Sequence, residues 1–208
     1  ARGLMNLPEK ARAPLSLPVE EFMGDLKFSS VKDELSSVLD EFHLMDAILV
    51  GSREKLQGIV TTWDAPRYFY TVASPYVMLR EIELAIRALI SGCVTDEELR
   101  GCIDRSLATH YKSIGKAPPS CLEEMSFSDY VVLLRFQGTW DKFSRNFGAS
   151  SDIARAKLAP LPELRNAVFH FRRELSAEEY DLLRTCRDWL LKRVRKLDAA
   201  KLGDSGNA

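Results

Sequence analysis

The sequence is short of the residues that build metal cages. It has only His43, His110 and His170, and its four cysteines, Cys93, Cys102, Cys121 and Cys186, never stand in C-x-x-C spacing. A zinc knuckle and a dithiol redox pair are both excluded. Long apolar runs are missing too: residues 47–50 and 130–134 fall far short of the roughly 20 residues that a membrane helix needs. No charged-then-apolar secretion signal opens the chain, so a cytoplasmic, reducing setting away from membranes is expected. Charge of one sign is lacking as well. With 29 basic and 30 acidic residues the net charge is -1, so no overall field draws the protein toward nucleic acid or anionic lipid. Any phosphate binding must be local.

What is present suits a folded chain. The 208 residues carry 46% hydrophobic and 28% charged side chains, near globular averages, enough for one compact domain or two small ones. Residues 1–18 hold Pro8, Pro14 and Pro18 among scattered charges and read as an N-terminal arm. Over 32–45, Leu35, Val38, Leu39, Phe42 and Met45 recur in steps of three and four, which predicts a helix with one buried stripe. Residues 47–50 and 56–61 predict two strands around a polar turn at 51–55. A short helix over 63–73 is expected to close at Ser74 and Pro75, because a proline forces its predecessor out of helical geometry. The domain boundary is placed there, giving a regulatory unit over 19–74 and a helical domain over 75–198.

Helical periods dominate from that point on. Leu79, Ile82, Leu84, Ala85, Ile86 and Leu89 recur as apolar residues over 77–90, and Thr95 with Glu98 makes a capping box. Ser128 is expected to cap a helix through Tyr130, Leu133, Leu134 and Phe136. Pro160 and Pro162 suit the first turn of a helix running to about Leu175. Ser176 with Glu179 forms another box, ahead of a final helix carrying Tyr180, Leu183, Cys186, Leu190, Val194 and Leu197. Residues 199–208 are expected to form a flexible, fraying tail.

The most informative string runs from Leu164 to Phe171 and contains Arg165, Asn166 and His170. Asn166 and His170 stand four apart and share a helix face; Arg165 and His170 differ by about 140° in azimuth. The arginine must bend to join the imidazole, which a cleft between helices permits. Such a set can cleave RNA. An imidazole, which generally titrates near 6.5, transfers protons at cytosolic pH, and a guanidinium forks onto two phosphate oxygens. Asn166 orients either partner. The scheme calls for no metal.

The R-N-x-x-x-H string on a proline-opened helix resembles the signature of the HEPN superfamily (higher eukaryotes and prokaryotes nucleotide-binding). The helix containing Leu79, Ile82, Glu83, Ile86 and Arg87 and the segment from Phe127 to Trp140 are similar to that family's first and middle helices. The resemblance implies a helical bundle that dimerises so that two motif helices face each other, making one composite ribonuclease cleft. It also implies metal-independent cutting that leaves cyclic phosphate ends. A plainer reading pairs Arg165 with an acid such as Glu163 and leaves His170 partly buried and satisfied. Glu83 and Arg87 either line the cleft or form an ordinary surface ion pair. Arg184, Arg187, Lys192, Arg193, Arg195 and Lys196 either track an RNA backbone or complement the dipole of the last helix.

In the N-terminal half, Gly58-Ile59-Val60-Thr61-Thr62-Trp63-Asp64 resembles a CBS domain, a small βαββα unit that binds adenosyl nucleotides. The resemblance implies that Thr61 contacts phosphate and Asp64 the ribose hydroxyls; their other role is strand end and helix cap. A lone copy implies pairing with a second chain. The expected fold is therefore α+β, a small N-terminal βαββα CBS-like unit followed by an all-α HEPN-like bundle. The expected function is a homodimeric, metal-independent endoribonuclease acting on RNA, a toxin or defence and stress effector. An adenine nucleotide would regulate it, and an antitoxin or regulatory protein would be a further partner. The alternative is a non-catalytic nucleotide-binding or protein-interaction module.

Overall fold

The computed structural model describes Pro18, residues 27–42 and residues 44–205. The expected N-terminal arm, apart from Pro18, and the first residues of the regulatory unit lie outside these. The protein is mixed α+β and mostly helical. Its chain divides into two compact units at Tyr70/Thr71.

The first unit is a three-stranded sheet in the order β1-β2-β3, built from β1 (Phe28–Ser29), β2 (Ala47–Gly51) and β3 (Leu56–Thr61). Helix α1 (Leu35–Glu41) connects β1 to β2, which run parallel, while β2 and β3 are antiparallel. The pairing sets Ile48 opposite Val60, and Ile48 is wholly buried. Ser52 and Lys55 close the hairpin by exchanging backbone hydrogen bonds of 3.1 and 3.2 Å. The bulge before that turn requires glycine. Gly51 has φ +123°, and a Cβ there would lie 2.4 Å from the Lys55 carbonyl oxygen. Helix α1 is shorter than its apolar spacing suggests. The Asp33 carboxylate accepts from the Ser30 N–H at 2.7 Å and Ser30 Oγ from the Lys32 N–H at 3.2 Å, local bonds that compete with helix formation.

The second unit is a helical bundle. Its elements are the larger part of α2 (Asp64–Ser91), α3 (Asp96–Ser113), a 3₁₀ turn (Leu122–Glu124), α4 (Phe127–Arg135), α5 (Gln137–Phe147), α6 (Ser151–Leu158), α7 (Leu161–Phe169) and α8 (Ala177–Ser205). Leu79, Ile82, Ile86, Leu107, Tyr130 and Phe143 lie at the centre of one continuous core.

Four expectations are corrected here. Helix α2 does not stop at Pro75 but runs through it. A proline there deprives the carbonyl four residues back of its donor, and that carbonyl, Thr71, accepts instead from the Tyr180 hydroxyl at 2.8 Å. The cap of α4 is Ser126, not Ser128: Ser126 Oγ accepts from the Asp129 N–H and the Asp129 carboxylate from the Ser126 N–H at 2.8 Å. Helix α7 ends at Phe169 rather than near Leu175, and α8 continues to Ser205, past Asp198 where the tail was expected to begin. The Thr95–Glu98 box is present at α3, and Ser176 with Glu179 caps α8 through bonds of 2.9 and 3.3 Å.

The early end of α7 has a clear geometry. The Arg172 N–H donates to the Ala167 carbonyl at 3.0 Å and the Phe171 N–H to the Val168 carbonyl at 3.3 Å. These are the two bonds of a Schellman stop. Phe171 sits at its left-handed position with φ 50°, the only non-glycine residue with positive φ among those described. The usual glycine signal is absent, so nothing in the sequence marked the stop.

Candidate functional site

A cleft of about 160 Å³ opens in the helical unit, lined by Glu83 of α2, the segment Met125 to Ser128 at the start of α4, and Pro162, Arg165 and Asn166 of α7. Local chemistry builds each wall. Pro162 occupies the first turn of α7, where no amide hydrogen is needed. Leu161, Leu164, Ala167 and Val168 take the buried side of that helix, which leaves Arg165 and Asn166 half-buried on its flank. The Ser126–Asp129 box fixes the α4 wall, and the Tyr111 hydroxyl holds buried Asp129 at 2.9 Å.

Arg165 and Asn166 are brought together: Arg165 Nη1 donates to Asn166 Oδ1 at 3.3 Å. The guanidinium also lies over the Phe169 ring, 4.9 Å from its centroid. No carboxylate among the described residues forms an ion pair with it, so the pairing with Glu163 is not made. His170 does not line the cleft. It is the C-cap of α7, its N–H donates to the Asn166 carbonyl at 3.2 Å, and its side chain is exposed rather than buried and satisfied.

Glu83 and Arg87 are more than a surface pair. Glu83 faces the cleft and binds Arg87 at 2.5 Å. Arg87 Nε donates to the Tyr130 hydroxyl at 2.8 Å, which in turn donates to the Leu122 carbonyl at 2.6 Å. Tyr130 is fully buried, and burial pushes its hydroxyl above the usual phenol range. The Glu83 carboxylate thereby hangs from a chain anchored in the core. Tyr76 performs a similar service at the other end of α7. Its hydroxyl donates to the Val168 carbonyl at 3.1 Å, and its ring meets Phe169 edge-on at 5.3 Å.

Half of the basic edge expected on α8 is occupied. Arg184 pairs with Asp181, Arg187 with Asp188 at 2.9 Å and Glu81 at 3.7 Å. Arg193 packs over Trp189 at 4.9 Å and donates to the Asn146 carbonyl at 3.2 Å. Lys192, Arg195 and Lys196 remain exposed.

In the first unit Thr61 and Asp64 meet directly. Asp64 Oδ2 accepts from the Thr61 hydroxyl at 2.7 Å and the Thr61 N–H at 2.8 Å, while Thr61 Oγ1 accepts from the Trp63 N–H at 3.3 Å. The hydroxyl bond, then the backbone bond, holds the Asp64 carboxyl below its ordinary value. The pair closes the turn before α2.

Among the described residues no group of three or more His, Cys, Asp or Glu is placed to hold a metal ion. No helix among them is long and apolar enough to cross a membrane. Comparison with known proteins finds no matching family model, no matching curated protein and no matching solved structure.

Proposed function

We propose that the protein is a metal-independent endoribonuclease with a HEPN-like helical domain, in which Arg165 binds the scissile phosphate, Asn166 orients it and His170 moves protons. The observation that carries this reading is a half-buried guanidinium without a carboxylate partner in a cleft, with an exposed imidazole five residues on, at the end of the same helix. An arginine kept free of acids is available to fork onto an anion. In the reaction the ribose 2′-hydroxyl gives its proton to His170, its oxygen bonds to phosphorus, and the bond to the 5′ oxygen breaks. That oxygen leaves with the proton that His170 took up, giving a cyclic phosphate and a 5′ hydroxyl.

A homodimer is part of the proposal, because His170 lies outside the cleft of its own chain and a second motif helix would complete the site. The CBS-like reading adds an adenine nucleotide at Thr61 and Asp64 as regulator. Its support is the strand–helix–strand–strand–helix order and the carboxylate and hydroxyl gathered at the start of α2. A cytoplasmic toxin or defence role, restrained by an antitoxin or regulatory protein, rests on the family resemblance alone.

Incubation of the protein with RNA in excess chelator tests the activity. Cutting should persist, and Arg165→Ala or His170→Ala should lower it about 10²- to 10⁴-fold; undiminished cutting by both variants would remove the proposal. The exposed position of His170 favours one rival, a non-catalytic module that binds nucleotide or a protein partner. That rival predicts no cutting by the wild-type chain.

A further inference from the structure

We propose that Phe171, with Phe169 beside it, forms a stacking platform for an unpaired nucleobase next to the phosphate bound at Arg165 and His170, which makes single-stranded RNA the substrate class. This rests on the nuclease reading for the phosphate position. The rings themselves are an independent observation. Phe171 is 83% exposed and Phe169 43% exposed, so neither belongs to the core. Phe171 is also held in a left-handed conformation that disfavours a bulky side chain. Burial does not offset that cost.

The platform is braced rather than loose. The Tyr76 ring lies 5.3 Å from Phe169 and 6.3 Å from Phe171, and its hydroxyl ties down the Val168 carbonyl. Around the rings stand groups suited to phosphate. Arg165 lies over Phe169, and exposed His170 and Arg172 flank Phe171 in sequence. None of the three has an ion-pair partner among the described residues, whereas neighbouring Arg173 is held by Glu179 through bonds of 2.6 and 2.7 Å. Aromatic faces interleaved with unpaired guanidinium groups and an exposed imidazole complement a nucleotide strand, its bases on the rings and its phosphates on the polar groups. In a duplex both faces of every base are already covered, so only a splayed base can use the rings.

The test is fluorescence anisotropy of the full chain with a labelled RNA oligonucleotide methylated at its 2′ oxygens, which blocks cutting, and with its duplex. The single strand should bind and the duplex bind at least tenfold more weakly. Phe171→Ala, which keeps the left-handed demand and removes only the ring, should weaken single-strand binding about five- to hundredfold; Phe171→Trp should restore it. Equal affinity of wild type and Phe171→Ala, or a duplex bound as tightly as the single strand, overturns the proposal. So does a Phe171→Ala protein smaller than wild type by light scattering, since the ring would then belong to a seam between two copies. The reading of Arg165 and His170 as catalytic fails separately, through cutting that ignores their loss.

Discussion

Phe171 shows how one residue can be set against its own backbone preference. A glycine at that position would adopt φ 50° freely, whereas an L side chain there costs about 1 kcal/mol or more. Phe171→Gly should therefore raise stability by about 1 kcal/mol, read as a higher urea midpoint with unchanged slope. An unchanged or lower midpoint would mean that the exposed ring stabilises the helix end. At this scale the candidate site was partly legible. Arg165 and Asn166 could be placed together because helical spacing fixes neighbours on a short segment. The outward position of His170 could not, since it depends on a helix stop that carries no glycine. Nor could the anchoring of Glu83 through Arg87 to Tyr130, because that chain joins residues 43 positions apart.

At the scale of elements, the capping boxes at Thr95 and Ser176 were readable because both partners lie within one turn. The break expected at Pro75 was not made, because the remedy for its missing hydrogen bond comes from Tyr180, far along the chain. The start of α8 also carries a pH signature. Arg173, and then the Ser176 N–H, hold the Glu179 carboxyl down to about 2 from an ordinary 4.5. A carboxylate with a lowered value in the folded state stabilises it above its free value, and that contribution disappears as pH falls through the lowered one. Glu179→Gln should therefore be less stable than wild type at neutral pH. The difference should close between about pH 4.5 and 2 in urea titrations. A gap independent of pH would show that the ion pair and cap contribute nothing through charge.

At the scale of the whole molecule, composition and periodicity announced a mixed chain with strands first and helices after, and the order of elements follows that plan. The first strand, only two residues long, is marked by no apolar run in the sequence. If the sheet unit binds an adenine nucleotide at Thr61 and Asp64, saturating ATP or AMP at 100 times its dissociation constant should stabilise the protein by about 2.7 kcal/mol. Asp64→Ala should abolish the thermal shift; no shift with any adenine nucleotide would leave Thr61 and Asp64 with the structural role of closing the turn before α2.

The central claim, that Arg165 and His170 act together across a twofold seam, is tested most directly by mixing. Arg165→Ala and His170→Ala proteins, each inactive, are unfolded together, refolded and assayed on RNA beside the wild type. Subunit exchange places an intact arginine opposite an intact histidine, so the mixture should recover a substantial part of the wild-type cutting. A mixture as inactive as either variant alone, beside a wild type that cuts, would contradict the shared site.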